Sequence, residues 1–200
     1  MNIEEFKKSF ANKKIKDLCY FYKRNEADRN SLVNNIVSLS IFMKDKFNLD
    51  IYLVYGTLLG VIRENDFIAH DNDVDLAYLS NKNNAKDALD EFYKISSTLN
   101  KYKMLSRLCN KGQMHVYSPN RKHKYDVWTS WITEDKFYLS PLFNGDTDSS
   151  IITPLKTTKF RSCDLLIPNK PEIFLDNTYL NWKTPILDGK GLKKTWKKIL

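Results

Sequence analysis

Long apolar runs are missing from this 200-residue chain: no stretch approaches the roughly 18 to 20 consecutive apolar residues of a membrane-spanning helix. Residues 1–16 interleave Glu and Lys instead of placing an apolar block behind a charged start, so they do not read as a secretory signal. The expectation is a soluble, cytoplasmic protein. Cysteine is scarce, with Cys19, Cys109 and Cys163 odd in number, far apart, and forming neither a CxxC pair nor a ligand spacing with histidine. That pattern argues against a disulfide framework or a zinc knuckle and leaves three reduced thiols. An internal repeat and a low-complexity linker are absent as well, so one compact domain is expected, with residues 1–50 as a helical segment packed on a core of residues 51–200.

Acidic residues are in deficit, with 24 Asp and Glu against 32 Lys and Arg, a net charge of +8. Such an excess suits an anionic partner, which nucleic acid, a membrane surface or a phosphorylated substrate would each satisfy. Much of it sits near the ends, in Lys7, Lys8, Lys13, Lys14 and Lys16 and in Lys193, Lys194, Lys197 and Lys198, where solvated faces are common, so charge alone does not choose. What the chain does have is apolar material for one sizeable core, 42% hydrophobic and 13% aromatic.

Apolar residues recur at helical spacing over 31–47 (Leu32, Val33, Ile36, Val37, Met43, Phe47), with Asn30 or Ser31 as the cap. Ile51-Tyr52-Leu53-Val54-Tyr55 is β-branched and aromatic and stops at Gly56, as a buried strand does; residues 57–63 are helical in character. A break at Glu64-Asn65-Asp66 precedes a strand in which Val74, Leu76 and Tyr78 share one face and Asp73 and Asp75 the other. A helix is predicted over 84–99, then strands near 102–107, 113–117 and 125–132. Residues 134–158 look like a surface excursion, and Pro171 opens a short helix to residue 179 that Trp182 packs back on the core. This order predicts an α+β domain, a mixed sheet flanked by helices.

Two carboxylates two apart on a strand point the same way, so Asp73 and Asp75 can share a hard cation such as Mg²⁺ or Mn²⁺ that also holds phosphate oxygens. The spacing alone is common in solvated loops. Ahead of it a strand ends in Gly56-Thr57 and enters a helix, whose N-terminal N–H groups would face a phosphate; a plain tight turn is the other reading. Arg63 ends that helix and either clamps a phosphate oxygen or pairs with Asp66 or Asp71. Asp126 stands in an apolar strand, where it either completes a three-carboxylate cluster or is satisfied by Lys124 or backbone donors. His70 is a candidate ligand, phosphate donor or general base, or a hydrogen-bonded loop histidine. His115 and His123 read as structural, and Tyr125, Trp128 and Trp131 as core.

Tyr55-Gly56-Thr57-Leu58-Leu59-Gly60-Val61-Ile62-Arg63, Phe67-Ile68 and Asp71-Asn72-Asp73-Val74-Asp75-Leu76 together resemble the LicD family of bacterial phosphocholine transferases and, more distantly, fukutin-type ribitol-phosphate transferases. The likeness extends to Asp126-Val127-Trp128, to Ile167-Pro168 and to Tyr179-Leu180-Asn181-Trp182-Lys183-Thr184-Pro185. It implies a nucleotidyltransferase-like fold, with Gly56, Thr57, Asp73, Asp75 and Asp126 binding a metal-chelated nucleotide. His70 stands where the family has tryptophan, and Asn72 where it has an acid. The resemblance implies a phospho-alcohol passing from a CDP-linked donor to a sugar hydroxyl of a glycan or glycolipid, with peripheral membrane association and no specific nucleic acid. Two alternatives stand beside it: transfer of a whole nucleotide from NTP, and a non-catalytic basic domain binding anions.

Overall fold

Asn25, not Asn30 or Ser31, starts the first helix, α1 (Glu26–Phe47): its side chain accepts the Asp28 N–H at 2.8 Å, and Glu26 and Asp28 favour the positive end of the helix dipole. The first turn is polar and therefore silent in an apolar periodicity. Arg29 is nevertheless buried there, donating to the carbonyls of Phe21 and Arg24. Asn48 in the left-handed region ends the helix. These details come from a computed structural model that describes residues 20–110 and 112–184. Cys19, Pro185 and the terminal lysines lie outside the described residues, and Cys109 and Cys163 are free thiols.

The strand after α1 is shorter than its composition suggests. β1 (Ile51–Leu53) gives way at Val54, and α2 (Tyr55–Glu64) already includes Tyr55. Tyr55 takes φ +46, an unfavourable backbone for an L side chain, while its hydroxyl donates to the Ser140 carbonyl at 2.8 Å and its ring is buried. This abrupt strand-to-helix turn aims the start of α2 at the next strand, β2 (Asp75–Leu79). Then come α3 (Ala85–Lys101), capped by the Asn84 side chain, and β3 (Ser106–Asn110), which begins later than the predicted 102–107 because Tyr102 closes α3. The hairpin partner β4 (Gln113–Tyr117) and β5 (Lys124–Thr133) fall where alternation put them.

Residues 134–158 are not a surface excursion. They form β6 (Lys136–Leu139), β7 (Phe143–Asp148) and the start of β8 (Lys156–Phe160), and Phe137, Leu139, Phe143 and Ile152 are fully buried. Gly145, Asp146 and Asp148 mask the strand pattern in β7. Among the described residues, β9 (Cys163–Ile167) and α4 (Pro171–Thr178), with Pro171 in its first turn, are the last elements.

The strands form one mixed nine-stranded sheet in the order β3-β4-β5-β2-β1-β9-β8, with β6 on β5 and β7 on β6. Only β2–β5 and β1–β9 pair in parallel. The architecture is α+β. Trp128, Tyr52, Tyr78 and Tyr125 fill the core beneath the helices, and Trp182 is buried as expected. Arg161, on the β8–β9 turn, pairs with Glu26 and, at 2.6 Å, with Asp66, tying that hairpin to α1 and to the loop after α2. No helix among the described residues is long and apolar enough to cross a membrane.

Gly60 fixes how tightly that loop folds over α2. A Cβ there would lie 2.6 Å from the Asp66 carbonyl oxygen and 3.1 Å from the Ile68 nitrogen, both backbone atoms that have no rotamer to move to. Gly60→Ala should therefore lower stability by about 1 to 3 kcal/mol, the usual penalty of overpacking. Urea unfolding measures it, and wild-type stability would refute the packing argument.

Candidate metal centre

β2 and β5 lie side by side and parallel with Asp75 opposite Asp126, and Asp126 N–H donates to the Val74 carbonyl at 2.8 Å. Asp73 stands two residues before Asp75, just outside the strand. As a result Asp73, Asp75 and Asp126 each bring a carboxylate oxygen into one group whose members all lie within 4.8 Å of one another. Two oxygens across one ion with bonds of about 2.0 to 2.6 Å lie about 4 to 5 Å apart, so this all-oxygen set fits one hard divalent cation. It is the only such group of ligating side chains among the described residues.

The three acids open on a cavity of about 450 Å³. Burial first, then the charges of Asp73, Asp71 and Asp126, push the Asp75 carboxyl well above the usual range. Asp71, a fourth acid in the cavity wall, is pushed up to about 8 by burial and by Asp73. Repulsion of this kind is what a bound cation relieves.

Gly56 and Thr57 hold Asp75, and Gly56 also lines the cavity. The Gly56 N–H donates to Asp75 Oδ2 at 3.3 Å, so the positive end of α2 is turned on that carboxylate. Thr57 is buried, does not line the cavity, and its Oγ1 accepts the Asp75 N–H at 2.8 Å. Sequence gave no hint that a carboxylate would reach the helix start before any phosphate could. Thr57→Val keeps the shape and removes the acceptor, so it should cost about 1 to 3 kcal/mol, while Thr57→Ser retains most of the stability. Equal unfolding midpoints for the two variants would contradict this role.

Arg63 lines the cavity, but its Nε donates to Glu64 at 2.8 Å and its Nη1 to the Trp182 carbonyl at 2.9 Å; Asp66, one of its expected partners, pairs with Arg161 instead. It thereby anchors the segment that carries Tyr179 and Trp182, which also line the cavity. His70 lines the same cavity and is not among the three clustered ligands.

Of the neighbours of Asp126, sequence reading named Lys124 and passed over His115 and Gln113. His115, taken as structural, sits opposite it on β4 with Nε2 3.3 Å from Oδ1. Lys124 Nζ lies 3.0 Å from the same oxygen, and Gln113 Nε2 donates to Oδ2 at 3.2 Å. Burial holds the His115 imidazole below its ordinary range against the pull of Asp126. Lys124 moves the other way: partial burial opposes its charge, yet the Asp126 hydrogen bond and the nearby acids raise it above the ordinary lysine value. The signal was available in the alternation, which puts Gln113 and His115 in a strand beside Asp126, and Lys124 two residues from it.

A mixed sheet with a glycine turn and three carboxylates gathered at the edge of a cavity defines a nucleotidyltransferase-like domain. Residues 48–170 match the family described as LicD/FKTN/FKRP, nucleotidyltransferase domain, and the chain belongs to that family. It is also 24% identical, over 153 residues, to an uncharacterised protein of Rickettsia prowazekii (strain Madrid E), a match covering 73% of this chain and 55% of that protein. The chain thus spans about half the length of the curated relative it matches. Family membership points to a transferase.

Proposed function

We propose that this protein is a metal-dependent phosphotransferase that moves a phospho-alcohol, phosphocholine or a similar group, from a CDP-linked donor to a sugar hydroxyl of a glycan or glycolipid. The observation that carries this reading is the convergence of Asp73, Asp75 and Asp126 within 4.8 Å beside a cavity of about 450 Å³. Their donor set suits Mg²⁺ or Mn²⁺, which when bound would offset the clustered charge and draw electron density from the donor's diphosphate.

The chain's own residues then have distinct tasks. Gly56 N–H and Thr57 Oγ1 fix Asp75, and Gln113 fixes Asp126. The acceptor hydroxyl approaches Asp126, which orients it and takes its proton. Its oxygen attacks the phosphorus bearing the alcohol; the new P–O bond forms as the bond from that phosphorus to CMP breaks, and CMP leaves with the electron pair. Tyr179, whose hydroxyl is kept protonated by burial and by the charges of Asp75, Asp71 and Asp73, remains a hydrogen-bond donor in the cavity wall. A glycolipid acceptor would bring the protein to a membrane surface from the cytoplasmic side.

The family's description as a nucleotidyltransferase domain favours a second reading, in which the nucleotide itself is transferred from NTP. A labelled cytidine nucleotide separates the two, since it ends as free CMP in the first and on the acceptor in the second. The primary test is thermal stabilisation by CDP-choline, CDP-ribitol, CTP and ATP, with and without Mg²⁺. A ligand at a hundred times its dissociation constant adds about 2.7 kcal/mol. Binding that ignores Mg²⁺ and collapses with salt would instead mark a basic anion-binding domain and overturn the proposal.

A further inference from the structure

Many phosphoryl-transfer sites use two divalent ions about 3.5 to 4 Å apart that share a bridging carboxylate. The two triad carboxylates on the paired strands, Asp126 and Asp75, can be asked whether their neighbours leave room for a second ion. For Asp126 the outer side is taken by Lys124 Nζ, 3.0 Å from Oδ1, and by His115 Nε2, 3.3 Å from the same oxygen, while Gln113 Nε2 donates to Oδ2 at 3.2 Å. For Asp75 it is taken by the Gly56 N–H on Oδ2 and by Trp128 Nε1, 3.5 Å from Oδ1. Asp71, the fourth acid of the cavity wall, accepts the Asn72 N–H on Oδ1 and packs its Oδ2 against Gly56. Around Asp126 and Asp75, then, nitrogen donors stand where a second cation would need oxygen, and one of them is itself a cation.

We propose that the Lys124 ammonium takes the position of a second cation beside Asp126, so that the site accepts a single divalent ion. This rests on the metal-dependent reading above and adds its stoichiometry. The placement is built into the sheet: Lys124 and Asp126 are two apart on β5 and share a face, and β4 sets Tyr117 opposite Lys124 and His115 opposite Asp126. A lysine there is a fixed point charge with three donors, held at the carboxylate that the acceptor hydroxyl meets. It supplies locally the positive charge a second ion would bring, and its repulsion of a divalent ion keeps that position closed.

The test counts ions instead of turnover. The full chain is titrated with Mn²⁺, alone and with CDP present, and bound ions are counted by electron paramagnetic resonance and calorimetry. The expected result is one ion per chain for wild type and Lys124→Arg, and a second, weaker ion for Lys124→Met. Two ions on wild type would overturn the inference and leave the phosphotransferase reading intact. A single ion on Lys124→Met would overturn it too, since the lysine would then not be what excludes the second. No bound ion on wild type would remove the metal-dependent reading itself, and the stoichiometry with it. The wild-type count decides even if Lys124→Met does not fold.

Discussion

Asp75→Asn should lower turnover about a thousandfold and yet leave the metal-free protein as stable as wild type or more so. Asp75 is the member of the triad held by Gly56 and Trp128, and losing one preorganised electrostatic contact of this kind removes about 4 kcal/mol of transition-state stabilisation. In the metal-free protein the same carboxylate is a liability, because burial first and then the charges of Asp73, Asp71 and Asp126 raise its pKa. A neutral amide ends that repulsion and can still accept one of the hydrogen bonds from Gly56 and Trp128. Gains of stability at the expense of activity are common where a site stores like charge.

The pH dependence carries the same signature. Asp71 goes from an ordinary value of 3.8 to about 8 in the folded chain, and Asp75 moves in the same direction. Their folded pKa values are raised, so this contribution is fully present below about pH 4 and is lost as pH climbs to about 8. His115 and His123, whose folded values are depressed by burial, contribute with the opposite sign near neutrality. The difference between wild type and Asp75→Asn cancels the histidines. That difference should grow in favour of the variant from pH 5 to 8 without metal and shrink when Mg²⁺ is added. A pH-independent difference, or full activity in the variant, would dissociate Asp75 from the site's charge.

Local patterns made part of this arrangement legible. Asp73 and Asp75 could be placed on one side of a strand from their spacing, and Asp126 was conspicuous as a lone acid among apolar residues. Their meeting was not legible by the same means. It depends on β2 pairing in parallel with β5 across a helix and a hairpin, a long-range register with no local signal. The resemblance carried by the flanking motifs bridged that gap. Where periodicity was the guide, it failed in physical ways: the polar first turn of α1 hid where that helix starts, and the Gly and Asp residues of β7 hid a strand. Gly56 and Thr57 were legible as a helix start, whereas their engagement by Asp75 required coordinates.

Gly56→Ala should separate the two explanations of that glycine. The backbone there is not in the left-handed region, so alanine is conformationally acceptable and favours the helix. Its Cβ, however, would lie 2.6 Å from Asp71 Oδ2 and 3.4 Å from Asp75 Oδ2. Unlike the backbone atoms facing Gly60, Asp71 Oδ2 is the end of a side chain and can swing away, so the fold survives and the site shifts. A displacement near 1 Å among positioned groups is enough for about a hundredfold loss of turnover, with a melting temperature within a few degrees of wild type. If the carboxylate contact is the cause, Asp71→Ala relieves it, and Gly56→Ala then adds little to the loss that Asp71→Ala produces alone. If the glycine serves instead to admit a phosphate to the backbone, the two losses multiply, and the double-mutant cycle closes with no coupling.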